Sequence, residues 1–98
     1  MSIDRSPFKP KRQKRVFSFD APQAKEVLLA GDFNDWKAEK HPLKKNNDGL
    51  WQKSTFLLPG RYEYKFLVDG TWKVDPENTQ VCMNQFGSQN NVFTISSK

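Results

Sequence analysis

Trp36 closes the turn AGDFNDW, Trp72 follows the turn VDG, and QFGSQNN at residues 85–91 sets Phe86 among four side-chain amides. Each aromatic ring stands in polar, turn-forming sequence, where burial in a core does not ask for one. A flat aromatic surface flanked by amides and a cation is a natural receptor for a sugar ring, which has an apolar C–H face and a rim of hydroxyls. Exposed tryptophans also mark protein interfaces, so the same residues admit a second reading as a docking face.

Hydrolytic chemistry has less to build on. It needs a positioned acid and base or an activated nucleophile. His41 is the single histidine and lies beside Pro42 in a polar stretch. No Gly-x-Ser-x-Gly elbow, phosphate-binding Gly-Lys-Ser/Thr loop or two-histidine zinc motif is present. The 11 carboxylates are scattered, many at turns such as Asp32, Asp35, Asp48 and Asp69, and turn formation accounts for them. Cys82 is alone, which leaves neither an internal disulfide nor a metal cluster to expect. The sequence therefore reads as a non-enzyme with no cofactor and no metal.

Ninety-eight residues support one domain with one core. The net charge of +5 raises nucleic acid as a ligand, and its distribution argues against that. Residues 1–15 carry six basic side chains against one acidic, and residues 16–98 carry ten of each. The charge belongs to a leader, PFKPKRQKR, and the body is neutral, as a receptor for a neutral glucan would be. With two prolines and almost nothing to bury, residues 1–14 are expected to form a disordered basic tail ahead of a domain at 15–98. No run approaches the roughly 18 apolar residues of a membrane span, and no apolar stretch follows the basic leader as in a secretory signal. The expectation is a cytoplasmic domain with no membrane contact.

The elements that must position the aromatics read as strands. RVFSF alternates, EVLLAGDF is richer in aliphatics, WQKSTFLL and RYEYKFLV are rich in aromatics, and NVFTI closes the chain. AP at 21–22, NNDG at 46–49, PG at 59–60, DG at 69–70 and FGS at 86–88 supply the turns. Lys37 to Asp48 reads as a long polar loop. No window holds a helical period, and short strands with regular turns predict an all-β, single-domain, immunoglobulin-like β-sandwich.

One hairpin can be worked out residue by residue. Asp69-Gly70 suits a two-residue turn because both positions tolerate positive φ. Val68 then pairs with Thr71, Leu67 with Trp72, and Lys65 with Val74. Side chains alternate, so Lys65, Leu67, Trp72 and Val74 share one face, while Tyr64 and Phe66 point to the core. Lys65 and Trp72 become diagonal neighbours, about 7–8 Å apart. Trp51 opens a strand after a turn and admits both roles, core and ligand contact. Asn46 and Asn47 read as turn formers, and Asn90 and Asn91 adjoin the aromatic loop.

Together these segments resemble the glycogen-binding domain of carbohydrate-binding module family 48, found in the beta subunit of AMP-activated protein kinase and in branching and debranching enzymes. The resemblance runs from about residue 16 to 96. It rests on VLLAGDFNDW, RYEYKFLVDGTW, and DPENTQ followed by FGSQNNVF. It implies an immunoglobulin-like sandwich with an α-glucan site on its surface. Residue by residue, it implies stacking platforms at Trp36 and Trp72 and a hydrogen-bonding lysine at Lys65. It also implies polar contacts at Ser88 and Asn90 and a projecting apolar side chain at Phe86. The downstream catalytic barrel and the kinase-assembly elements have no counterpart in these residues, so the expectation is a free-standing binding domain. Its expected ligand is α-1,4-glucan: glycogen, starch-like polysaccharide or maltooligosaccharides. The rival reading docks a kinase or an α-glucan enzyme through the same aromatic face.

Overall fold

The computed structural model describes residues 11–97. Eight strands follow one another: β1 (Gln13–Asp20), β2 (Val27–Gly31), β3 (Lys44–Lys45), β4 (Leu50–Leu57), β5 (Gly60–Val68), β6 (Thr71–Lys73), β7 (Val81–Met83) and β8 (Gln89–Ile95). All pairs are antiparallel. One sheet has the order β1-β4-β3, the other β2-β5-β8-β7, with β6 pairing β5 alongside. This is the immunoglobulin-like sandwich expected from the strand pattern.

The alternation in each strand decides what lies between the sheets. Phe17, Phe19, Trp51 and Leu57 face inward from the first sheet, and Val27, Leu29, Tyr64, Phe66, Val68, Phe93 and Ile95 from the second. Their rings meet at 5.0 Å for Phe17–Tyr64 and for Phe19–Phe66, and at 5.5 Å for Phe17–Phe93. Burying each such side chain stabilises the fold by about 1.5–3 kcal/mol. Trp51 is core: it is 8% exposed and its indole N–H donates to the Ala21 carbonyl at 2.8 Å.

The central strand β5 is clamped along both edges. Residues 64–68 pair β2, residues 60–64 pair β8, and residues 66–68 pair β6. The hairpin register is as the sequence predicts, with Val68 opposite Thr71 and Leu67 opposite Trp72. Asp69 and Gly70 both take positive φ, 47° and 83°, which is the backbone that Asp-Gly supplies at low cost. Asp69 also accepts the backbone N–H groups of Lys25 and Glu26, fastening the turn to the start of β2.

Three boundaries differ from the expectation. Residues 1–10 of the expected tail lie outside the described residues, while Gln13 and Lys14 belong to β1, where Gln13 also donates from its side chain to the Ser96 carbonyl at 2.8 Å. Polar residues at the end of a strand give no hydrophobic signal, although the ladder uses their backbones fully. The expected Lys65–Val74 pair falls beyond the ladder, which ends at Lys73. The chain leaves there because Asn91, fully buried, accepts the Asp75 N–H and donates to the carbonyls of Asp75 and Asn78. Finally, Lys37–Asp48, expected as one long polar loop, holds a 3-10 turn at Ala38–Lys40 and the strand β3 at Lys44–Lys45. Its main chain bonds β2 through Leu29 N–H to His41 O and Leu43 N–H to Val27 O, and it buries Ala38 and Leu43.

Candidate functional site

The tryptophan in AGDFNDW is held by its polar neighbours. Gly31 ends β2 where any Cβ would lie 2.6 Å from the Glu63 carbonyl oxygen. Asp32 accepts the Glu63 backbone N–H at 2.8 Å with one oxygen and the Trp36 indole N–H at 3.1 Å with the other. Asn34 is buried; its Oδ1 accepts from Gly31 N–H, so its amide nitrogen faces the Leu29 carbonyl at 3.0 Å and His41 Nδ1 at 2.9 Å. His41 Nδ1 is therefore an acceptor, and the neutral ring carries its proton on Nε2. Burial holds the His41 pKa below its ordinary value, with Lys53 and Lys40 adding to the effect. Asp35 and Trp36 both take left-handed backbone, φ 56° and 60°. Trp36 was expected to be exposed. It is partly buried, with its indole N–H tied to Asp32.

Lys65 stands on the outer face of β5, away from Tyr64 and Phe66, as the alternation requires. Its neighbours cover it to 9% exposure, and Nζ donates to Ser88 Oγ at 3.1 Å. Trp72 lies beside it on the short strand β6, 47% exposed.

The third part is the loop between β7 and β8, residues 84–88, and its geometry follows from Asn84. Asn84 Oδ1 accepts the backbone N–H groups of Phe86 and Ser88, while Nδ2 donates to Ser88 Oγ and Asn90 Oδ1. All four hydrogen-bonding positions of that amide are filled. Phe86 is lifted to the tip, 82% exposed. Asn90 is 6% exposed and donates to Glu63 Oε1 at 3.1 Å; Glu63 Oε2 accepts from Arg61 at 2.9 Å. Those bonds, from Asn90 first and then Arg61, hold the Glu63 pKa below the usual carboxylate value against the opposing effect of burial.

These three pieces enclose one open groove of about 740 Å3. Trp36, Lys65, Trp72, Phe86, Ser88 and Asn90, the six residues singled out from sequence, all line it. Glu63, Met83, Asn84 and Gln85 complete the lining; sequence reasoning had counted Gln85 among the amides of the aromatic loop and had given the other three no role in the site. Met83 ends, and Asn84 follows, a strand of three residues, too short to show a period. Glu63 was one of 11 scattered carboxylates.

The family model described as the glycogen recognition site of AMP-activated protein kinase matches residues 14–98. The chain belongs to this family. The match takes in every strand except the first residue of β1, and every residue of the groove. Among relatives of this glycogen-recognition family, the chain is similar to Protein PTST homolog 2, chloroplastic, of Arabidopsis thaliana, at 45% identity over 74% of the chain and 13% of that protein. It is similar to 5'-AMP-activated protein kinase subunit beta-1 of Sus scrofa at 40% identity over 72% of the chain and 55% of the subunit. It is similar to the 1,4-alpha-glucan branching enzyme GlgB of Fusobacterium nucleatum subsp. nucleatum at 35% identity over 64% of the chain and 11% of the enzyme. The chain thus spans a small part of the plant and bacterial proteins and about half of the kinase subunit. What it shares with them is a carbohydrate-recognition domain, which is not itself catalytic. Among the described residues no helix is long and apolar enough to cross a membrane, and no group of three or more His, Cys, Asp or Glu could hold a metal ion.

Proposed function

We propose that the groove binds α-1,4-glucan, as glycogen, starch-like polysaccharide or maltooligosaccharide, without altering it. The observation that carries this is the convergence of Trp36, Trp72 and Phe86 with Lys65, Ser88 and Asn90 around one open groove. Trp36 and Trp72 act as stacking platforms for the apolar faces of successive glucose rings. Phe86, at the loop tip, projects into the curve of the glucan. Lys65 keeps ammonium protons free beyond its bond to Ser88. Ser88 Oγ already accepts from Lys65 and Asn84, so its own proton is left to donate to a sugar oxygen. Asn90 has one N–H beyond its bond to Glu63 and contributes from the groove floor.

The scale of base–aromatic stacking, about 1–3 kcal/mol per platform, serves as an upper guide for sugar faces. Two platforms and a few solvent-facing hydrogen bonds correspond to a Kd of about 10 μM to 1 mM for a short oligosaccharide. The test is titration with maltoheptaose, read by tryptophan fluorescence and by heat, with retention on insoluble glycogen or starch and cellulose as the control. No signal at millimolar maltoheptaose overturns the reading. The kinase-subunit and branching-enzyme relatives support a second role for the same aromatic face, docking a kinase or an α-glucan enzyme. That role predicts protein capture that maltoheptaose does not displace. A cytoplasmic setting belongs to this proposal too, alongside a plant relative whose name places it in the chloroplast.

A further inference from the structure

The groove's polar groups are unevenly divided between donors and acceptors. Lys65 offers only donors. Ser88 has both lone pairs engaged and offers its proton. The Asn84 amide is filled on all four positions, and the Trp36 N–H is taken by Asp32. Asn90 Oδ1 accepts from Asn84 within an almost wholly buried side chain. Gln85 adds a neutral amide acceptor, on an exposed side chain of the loop. A glucose hydroxyl both accepts and donates, so a ring held by the other groups alone has its own protons unmatched on the protein side.

Glu63 is the one carboxylate among the side chains lining the groove. Its Oε1 accepts from Asn90 and its Oε2 from Arg61. The Cys82 thiol also reaches the carboxylate; of the carboxylate's four lone pairs at least one remains, and the bonds to Asn90 and Arg61 fix the plane in which it points. That acceptor matches a sugar hydroxyl with a proton to give. Glu63 stands two residues from Lys65 on the same face of β5, about 7 Å along the strand, so one hexose ring can meet both. An oxygen bearing a phosphate ester has no proton to give and brings negative charge toward the carboxylate.

We propose that Glu63 is the hydroxyl acceptor of the groove and gives the site its selectivity for uncharged glucan over glucan carrying phosphate. This rests on the glucan reading above. The experiment compares the Kd values of maltoheptaose and of maltoheptaose phosphorylated at C6 hydroxyls, for the unaltered protein, Glu63→Gln and Glu63→Asp. A thermal melt of each serves as the check on folding. Losing one charge-assisted hydrogen bond corresponds to about tenfold or more in Kd, so Glu63→Gln should bind maltoheptaose about tenfold more weakly. The unaltered protein should disfavour the phosphorylated sugar by about tenfold, and Glu63→Gln, which leaves the Lys65 ammonium in the groove, should bring that ratio to about one or reverse it. Glu63→Asp, which keeps the charge on a shorter arm, should lose affinity and keep the ratio. It carries the test if Glu63→Gln does not fold. A carboxylate that merely holds Asn90 and Arg61 in place would weaken both sugars equally, and an unchanged ratio in Glu63→Gln overturns the proposal. So does an unaltered protein that binds both sugars alike. Failure of the unaltered protein to bind maltoheptaose at all would instead sink the glucan reading itself.

Discussion

Asp32 holds Trp36 at one carboxylate oxygen, 3.1 Å from the indole nitrogen, and holds the backbone of Glu63 at the other, 2.8 Å away. A single exposed side chain thus ties the loop that carries Trp36 to the strand that carries Glu63 and Lys65. The bond takes the indole at its N–H edge, and Trp36 lines the groove.

Asp32→Ala should therefore weaken glucan binding severalfold even though Asp32 does not line the groove. Its stability cost should be modest, about 1 kcal/mol, since both lost partners can turn to water. Calorimetric titration with maltoheptaose beside a urea melt checks both numbers. Unchanged affinity would show that Trp36 needs no such tether.

Site and core separate by face. Trp36→Ala and Trp72→Ala should each remove most glucan binding while changing stability by less than about 1 kcal/mol. Tyr64→Ala and Phe66→Ala, with side chains at 1% and 0% exposure, should each cost about 3–5 kcal/mol. Chemical denaturation ranks the four. A stable Phe66→Ala protein would contradict the register drawn above.

Lys65 combines both roles, because its stem is covered and its ammonium meets Ser88. Lys65→Met keeps the apolar stem and removes the donor, so it should weaken maltoheptaose binding with little loss of stability. Lys65→Ala should weaken binding to the same degree and also cost about 1 kcal/mol of stability from lost packing. Equal melting curves for the two variants would show that the stem contributes nothing.

Acid should loosen the domain in two steps of the same sign. His41 has its folded pKa lowered from 6.5 by burial and by Lys53 and Lys40. The unfolded chain therefore binds more protons, and the stability present above pH 6.5 falls as pH drops through the folded value. Glu63, lowered from 4.5 by Asn90 and Arg61, adds stability that is present above pH 4.5 and is lost as pH falls through its own folded value. Urea midpoints followed from about pH 8 to about pH 3 should stay level above about pH 7, decline below about pH 6.5 and decline again below about pH 4.5. His41→Asn, whose Oδ1 can still accept from Asn34, should remove the upper step.

Truncation tests the start of the domain. Deleting residues 1–10 should leave both the melt and maltoheptaose binding unchanged. Deleting 1–15 should destabilise the protein, since it removes three residues of β1, the Gln13 bond to Ser96 and the Arg15 guanidinium stacked 4.4 Å from the Phe93 ring centre. Identical melts for the two truncations would remove Gln13–Arg15 from the folded unit.

The sequence by itself determined what local chemistry determines. Strict alternation in RYEYKFLV sets Tyr64 and Phe66 against Lys65, and Asp69-Gly70 fixes the register that brings Trp72 beside that lysine. The three motifs were enough for the family and for six lining residues. Tertiary structure decided what depends on groups distant along the chain. Trp51 went to the core because its N–H found Ala21, and Asn91 became a buried anchor while Asn90 reached the groove. Glu63 became part of the site only when β8 brought Asn90 against it. A side chain's alternation can be read from its immediate neighbours, but which hydrogen-bonding positions remain free is settled by partners that arrive only on folding.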